Sequence, residues 1–356
     1  MTLGLCMIVK DEAAVLGRCL DSAAGVFDEI VIVDTGSTDE TKTIARRYTK
    51  DVYDFAWRQD FAAARNFGFD RAAADYCMWM DADEILRPDD AAALRALKQT
   101  LCGKIGRYFL RTVIPAEDGR CALTFERVRI VRRAGARWRG RVHEDVFAGG
   151  AAAHAAICVT HLGKPTREPF RNLRIFARAF ADGEKPDARQ VYYFARELAD
   201  CGLYAAAADA FRYFLQGDGW AEDKIAACLA LARCLRALQR PREAEQALLQ
   251  SFACAPPRAE ACCALGDLCR EAGRLRDAVF WYKLALDVGP TRGVGFADPD
   301  CGGFLPCLWL CVCYDRLGER ERARGWNEQA ARYRPQDASV LQNRAYFARA
   351  LPDGNG

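Results

Sequence analysis

Residues 76–84 read Tyr76-Cys77-Met78-Trp79-Met80-Asp81-Ala82-Asp83-Glu84, an apolar run that ends in two aspartates one residue apart. An extended chain sends alternate side chains to the same face, so Asp81 and Asp83 can share one divalent cation, which hard carboxylate oxygens suit. A cation held in this way can grip a diphosphate. Asp-x-Asp alone is a weak signal in a chain with 48 acidic residues. Asp298-Pro-Asp300 repeats it in a Gly/Pro-rich stretch with no strand before it, so context has to separate the two.

Upstream of Asp81 lie three further apolar runs with acidic or polar ends: Leu3 to Val9 before Lys10-Asp11-Glu12, Glu29 to Val33 before Asp34, and Val52 to Phe55. Between them Val15, Leu16, Cys19 and Leu20, then Ile44, Ala45 and Tyr48, have helical apolar spacing. The alternation predicts an α/β domain with a mostly parallel sheet. Ligands of such sheets gather at the carboxyl ends of the strands, where Lys10 to Glu12, Asp34, Asp81 and Asp83 all fall.

Composition narrows the field without choosing within it. At 356 residues the chain has room for two domains, and 51% apolar with 28% charged residues is ordinary for globular material. A net charge of +3 supplies no basic stripe for a nucleic acid. The start, Met1-Thr2-Leu3-Gly4, reads as a first strand and not as a secretion signal, and no apolar window is long enough for a membrane helix. A soluble cytoplasmic protein is the expectation. None of the 17 cysteines forms a Cys-x-x-Cys pair, and Cys228, Cys234, Cys262, Cys263, Cys269, Cys307, Cys311 and Cys313 sit at helical apolar positions. They read as small core residues in a reducing compartment.

The pattern changes near Gly163 to Pro169, giving expected domains at 1–165 and 166–356. From Phe170 onward alanine is abundant and turn signals recur at Gly202, Gln239, Gly273 and Gly318. The steps are 239−202=37, 273−239=34 and 318−273=45, near the 34-residue tetratricopeptide period except for the last, where Gly289 to Gly303 looks inserted. The second half is therefore expected to be an all-α array of helical hairpins.

Several residues of the first half are candidates for chemistry. Ser37-x-x-Glu40 predicts a capping box for a helix through Ile44 to Tyr48. Asp34, before Gly36, suggests a contact to a nucleoside hydroxyl or base edge, set against a turn-stabilising role. Arg65 lies among Ala62, Ala63, Ala64, Phe67 and Phe69, so its charge is expected to meet an anion or a carboxylate. The three histidines, His143, His154 and His161, fall within 19 residues. His161, ending a β-like run, is the candidate for a further metal ligand, and its alternative is a hydrogen-bonded strand-end histidine. His154 reads as surface loop. Glu144 is the candidate general base, with Asp145 and Glu84 next in line, and its alternative is an ion pair with Arg141 or Arg139.

Taken in order, Cys6-Met7-Ile8-Val9-Lys10-Asp11-Glu12, Ile32-Val33-Asp34-Thr35-Gly36-Ser37-Thr38-Asp39, Ala64-Arg65-Asn66, Met80-Asp81-Ala82-Asp83-Glu84 and His143-Glu144 resemble a family 2 glycosyltransferase with the Rossmann-like GT-A fold. With the C-terminal repeats the chain is similar to bacterial family 2 transferases fused to tetratricopeptide repeats, the sublancin-type S-glycosyltransferase group among them. The resemblance implies an inverting transfer of a sugar, usually from a UDP-sugar, with Mg²⁺ or Mn²⁺, to a peptide or glycan acceptor. It places Lys10, Asp11, Glu12 and Asp34 at nucleoside-contacting strand ends, Arg65 and the helix-opening Asp60 on the nucleotide-contacting helix, and Asp81 and Asp83 in the metal motif. Many members carry two adjacent acids where this chain has Asp34-Thr35. The repeats would bind the acceptor or a second copy of the chain. Two rivals stand beside this reading. A nucleotidyltransferase should show a Gly-rich phosphate loop after the first strand, where this chain has Lys10-Asp11-Glu12. An inactive repeat scaffold would have no need of Arg65, Asp81 and Asp83.

Overall fold

The computed structural model describes residues 1–115, 121–163, 168, 170–290 and 298–350, without the side chains of residues 121 and 122. It divides into two compact units, Met1–Pro186 and Asp187–Gly356.

The first unit is built on β1 (Leu3–Val9), α1 (Leu16–Ser22), β2 (Glu29–Asp34), α2 (Thr41–Ala45), β3 (Val52–Asp54), α3 (Phe61–Arg71) and β4 (Tyr76–Trp79). β5 (Glu84–Ile85), α4 (Pro88–Gln99), β6 (Ile105–Pro115), β7 (Cys121–Arg132), β8 (Arg137–Arg139), β9 (Asp145–Phe147), β10 (Ala151–His161) and α5 (Arg171–Ala181) follow. Contacts therefore assign α5 to the α/β unit and not to the repeats. Eight strands form one sheet in the order β3-β2-β1-β4-β7-β6-β10-β5, and β8 and β9 form a separate ribbon. β3, β2, β1 and β4 are parallel, whereas β7 runs antiparallel to β4. The near-continuous apolar sequence of β1 matches a strand covered on both faces. Leu16, Leu20 and Leu94, from α1 and α4, bury one face, and Phe69 of α3 with Trp138 and Val146 of the ribbon buries the other.

This topology positions the site. The parallel strands deliver Lys10, Asp34 and Asp81 to one edge, and β7, entering from that edge, lays Arg127 and Arg129 beside the end of β4. β5 pairs antiparallel with β10, with His161 opposite Glu84 and the Leu162 N–H donating to the Asp83 carbonyl.

Two expectations need correction. No capping box starts α2: Glu40 makes no side-chain cap, Asp39 Oδ1 accepts from the Thr41 N–H at 2.9 Å, and Ser37 Oγ accepts instead from the Asp11 N–H. The helix also stops at Ala45, short of Tyr48. His154 lies in β10 and not in a loop. Its ring is exposed, stacks on Phe109 at 4.9 Å, and lies 2.7 Å from Glu126.

The second unit is a series of helices: α6 (Ala188–Asp200), α7 (Tyr204–Gln216), α8 (Ala221–Ala237), α9 (Pro241–Gln250), α10 (Ala259–Glu271), α11 (Leu275–Val288), α12 (Phe304–Arg316), α13 (Arg320–Tyr333) and α14 (Ala338–Ala350). The four turn positions picked out by spacing share one conformation. Gly202, Gln239, Gly273 and Gly318 all have positive φ, and the following N–H reaches back to the last helical turn in each case. These bonds are Leu203 to Leu198, Arg240 to Leu235, Arg274 to Cys269 and Glu319 to Tyr314, at 2.8 to 2.9 Å, so four helices share the same left-handed C-terminal cap. The eight repeat cysteines named above are buried and free. Of the inserted stretch, residues 291–297 lie outside the described residues, and Pro299–Gly302 forms a 3₁₀ turn capped by Asp298. No described helix is long and apolar enough to cross a membrane.

Gly266 of α10 faces the Tyr282 ring so closely that a Cβ there would sit 2.6 Å from it. The ring cannot yield easily, because it is fully buried and its hydroxyl donates to Asp267 at 2.6 Å. Gly266→Ala should lower the urea midpoint, the clash of about 1–3 kcal/mol outweighing the roughly 1 kcal/mol that alanine gains in a helix. Circular dichroism of the variant checks this, and a raised midpoint would show that the hairpin can open to admit the methyl.

Candidate functional site

Arg65 is the hub of the site. It projects from α3, is 7% exposed, and lies 4.8 Å from the ring centres of both Trp79 and Trp138. Its Nη2 donates to Asp81 at 2.9 Å and its Nε to Glu144 at 2.6 Å. The expected carboxylate partner is therefore two carboxylates, one from the end of β4 and one from the turn after β8. The neighbouring Asn66 fixes the same geometry by pairing through its amide with both the N–H and the carbonyl of Trp138. Asp60 caps α3, its Oδ1 accepting from the Ala63 N–H at 2.8 Å.

Glu144 pairs with Arg65 and with neither Arg139 nor Arg141. Arg141 binds Asp182 and Glu184, and Arg139 lies over Phe147. Glu84, the reserve base, is committed elsewhere. It is 2% exposed and takes a two-pronged bond from the fully buried Arg129 at 2.6 and 2.7 Å, while Arg129 also donates to Thr112. Glu84 Oε2 accepts in addition from the Asp81 N–H at 2.9 Å, so this buried pair fixes the backbone that carries Asp81. The pair was missed in the sequence, although Arg129 is a charge inside an apolar strand, Val128 to Val131, and such a charge signals a buried partner.

The two aspartates stand in opposite electrostatic settings. Partial burial works against the Asp81 charge, but the guanidiniums of Arg65, Arg129 and Arg127 prevail and hold its carboxyl down at about 2. Asp83 is pushed up, by burial first and then by the neighbouring carboxylates of Asp81 and Glu84, with His161 pulling the other way. His161 Nδ1 lies 3.5 Å from Asp83 Oδ1, so β10 does bring the expected histidine to the aspartate motif. Among the described residues, however, no three His, Cys, Asp or Glu side chains are already gathered as a metal cage, because Asp81 is turned toward Arg65.

The other strand ends are braced by their own loops. Asp34 is fully buried. Its Oδ1 accepts from the Gly36 and Ser37 N–H groups at 2.9 and 2.8 Å, while Oδ2 is buried with no partner among the described residues. Asp11, at φ 51°, accepts from the Thr38 N–H at 2.7 Å, and the Glu12 N–H donates to Thr41 Oγ1. Lys10 is exposed beside them. Asp11 and Glu12 thus join the end of β1 to the start of α2 through their backbones and the Asp11 carboxylate.

Comparison with known proteins agrees with this geometry. Residues 5–112 match the family described as Glycosyl transferase family 2, and residues 259–291 match the tetratricopeptide repeat. The chain therefore carries a segment that matches family 2 glycosyltransferases, followed by one that matches the tetratricopeptide repeat. A TPR repeat-containing protein of Synechococcus elongatus is 44% identical over 84 residues, covering 24% of this chain and 21% of the relative. The prophage-derived glycosyltransferase SunS of Bacillus subtilis is 30% identical over 98 residues, covering 27% and 23%. The lipopolysaccharide core biosynthesis glycosyltransferase LpsC of Rhizobium meliloti is 34% identical over 92 residues, covering 24% and 33%. The chain thus spans between 21% and 33% of the length of these relatives.

The Asp81 arrangement has a consequence for stability. Its folded carboxyl lies near 2, below the ordinary value of about 3.9, so it stabilises the fold fully above the ordinary value and loses that contribution as pH falls toward 2. In EDTA, the gap in urea midpoint between the wild type and Asp81→Asn should be widest at pH 6 and narrow toward pH 3. A gap independent of pH would show that the carboxylate charge is not what Arg65 needs.

Proposed function

We propose that the chain is an inverting glycosyltransferase. It moves a sugar from a nucleoside diphosphate-sugar, with UDP-hexose as the expected donor, to the thiol or hydroxyl of a peptide or to a glycan. The observation that carries this reading is the meeting of Asp81, Arg65 and Glu144, with Asp83 and His161 alongside, at the carboxyl edge of a sheet that matches family 2. The unpartnered buried Oδ2 of Asp34 supports a nucleoside contact at the end of β2, because a buried acceptor without a donor is costly and a ribose hydroxyl or base N–H would satisfy it.

The residues fit a divalent cation. Two carboxylates and an imidazole are an acceptable donor set, and burial, which pushes the Asp83 carboxyl up, is a cost that a bound cation would offset. Asp81, Asp83 and His161 would hold Mg²⁺ or Mn²⁺, which when bound neutralises the donor's diphosphate. Arg65 orients Asp81 and Glu144 together, and its enclosure by two indoles fixes all three. Glu144, 12% exposed and one guanidinium away from Asp81, would take the proton from the incoming acceptor. In-line attack from the face opposite the diphosphate inverts the anomeric carbon. The helical repeats would present the acceptor, since stacked hairpins form extended binding surfaces.

Asp83→Asn tests the reading, because it removes one charge without disturbing the Arg65 cluster. Titrated by calorimetry, the wild type should bind UDP more tightly in Mn²⁺ than in EDTA. The variant should lose that difference while keeping the wild-type affinity measured in EDTA. An unchanged Mn²⁺ effect in Asp83→Asn would remove Asp83 from the metal site.

A further inference from the structure

Three guanidiniums surround the buried ring of Trp79: Arg129 at 4.0 Å, Arg65 at 4.8 Å and Arg127 at 5.1 Å from its centre. Like charges packed around one indole need counter-charges, and two of the three pair with carboxylates directly. Arg129 is matched by Glu84, and Arg65 by Asp81 and Glu144. Arg127 is half-buried, its other neighbouring ring is Phe125 at 5.9 Å, and no carboxylate among the described residues pairs with it.

Its place is set by strand pairing. β4 and β7 are registered antiparallel, with Tyr76 opposite Arg132 and Met78 opposite Ile130. Beyond Ile130, β7 runs on past its pairing with β4, shifts register against β6 between Ile130 and Val128, and sets Arg127 opposite Leu110. The Trp79 ring at the end of β4 nevertheless gathers the guanidiniums of Arg65, Arg127 and Arg129. A cation with no direct ion pair among the described residues, yet close enough to Asp81 to help hold its carboxyl down, is thus held on a strand near the aspartate motif.

We infer that Arg127 binds the diphosphate of the donor and receives the charge of the departing nucleoside diphosphate. This rests on the glycosyltransferase reading given above. In the transfer, the bond between the anomeric carbon and the phosphate oxygen breaks and its electron pair stays on that oxygen. The acceptor heteroatom bonds to the anomeric carbon and its proton passes to Glu144. The leaving group then carries one more negative charge than the diphosphate had in the donor, beside the carboxylates of Asp81 and Asp83. A fixed guanidinium aimed at that oxygen favours the late, charged species over the ground state, which is the form of binding that accelerates a reaction.

The prediction is a difference between two ligands. A free nucleoside diphosphate already carries the extra charge, and its sugar ester does not. UDP, GDP and dTDP, each with its glucose ester, are titrated in Mn²⁺ at pH 8 against the wild type, Arg127→Gln and Arg127→Lys of the full chain. For the nucleotide the wild type binds, Arg127→Gln should weaken the free diphosphate by about 10- to 100-fold, the range of a charge-assisted hydrogen bond, and weaken the sugar ester clearly less. Arg127→Lys should recover most of the loss, with melting temperatures unchanged. If Arg127→Gln binds both ligands as the wild type does, the inference is wrong while the glycosyltransferase reading stands. Equal losses for both ligands that lysine does not recover, with a lowered melting temperature, would make Arg127 a structural residue and also overturn it. A wild type that binds none of the three diphosphates would remove the glycosyltransferase reading, and the inference with it.

Discussion

The buried charge of Arg65 is the constraint around which the first unit is arranged. A guanidinium 7% exposed and left without counter-charges would cost several kcal/mol, so the fold must bring carboxylates to it. It does so from two distant places in the chain, Asp81 at the end of the parallel sheet and Glu144 in the turn that leads into β9. Trp79 and Trp138 close the remaining faces, and Asn66 locks the Trp138 backbone to the next residue of the same helix. One requirement of electrostatics therefore sets α3, the end of β4 and the β8–β9 ribbon in fixed relation. The groups it collects are those that transfer chemistry at this edge would use.

A second buried pair works below the first. Glu84 and Arg129 neutralise each other inside the sheet, and the spare capacity of Glu84 holds the Asp81 N–H. The aspartate motif is thus suspended between two arginines, one acting on a side chain and one, through Glu84, on the backbone. Functional groups supported from beneath in this way keep their geometry without help from ligand. Asp83, which neither arginine pairs with directly, is the member whose carboxyl burial pushes up, with a histidine neighbour pulling the other way.

What the sequence disclosed follows from the range of the interactions concerned. The β/α alternation, the strand ends and the Asp81 and Asp83 spacing are local patterns, and β1, β2 and β4 fall where the apolar runs lie. The need of Arg65 for a negative partner was readable from its apolar neighbours, but the identity of Glu144 was not, because 79 residues separate the two and nothing near Glu144 points to Arg65. Arg139 and Arg141 were closer in sequence and wrong. Ser37 lost the capping role to Asp39 because the Asp11 N–H claims its hydroxyl, another long-range contact that changes a local rule. His154 was misread as loop because its alanine neighbours have weak strand preference, which pairing with β6 overrides. In the repeats the period was legible because each hairpin ends in the same left-handed cap. Even Gln239 obeys it, where a residue with a side chain must bear a conformation that suits glycine.

The central claim is that the edge carrying Asp81, Asp83 and His161 holds a nucleoside diphosphate through a divalent cation. Crystals of the full chain grown with UDP and Mn²⁺, measured at a wavelength where manganese scatters anomalously, test it without knowledge of the acceptor. The account predicts an anomalous peak at bonding distance from the Asp83 carboxylate, with diphosphate oxygens on its other side and the nucleoside near Asp34. A manganese site and nucleotide elsewhere on the molecule, with this edge empty, would contradict it.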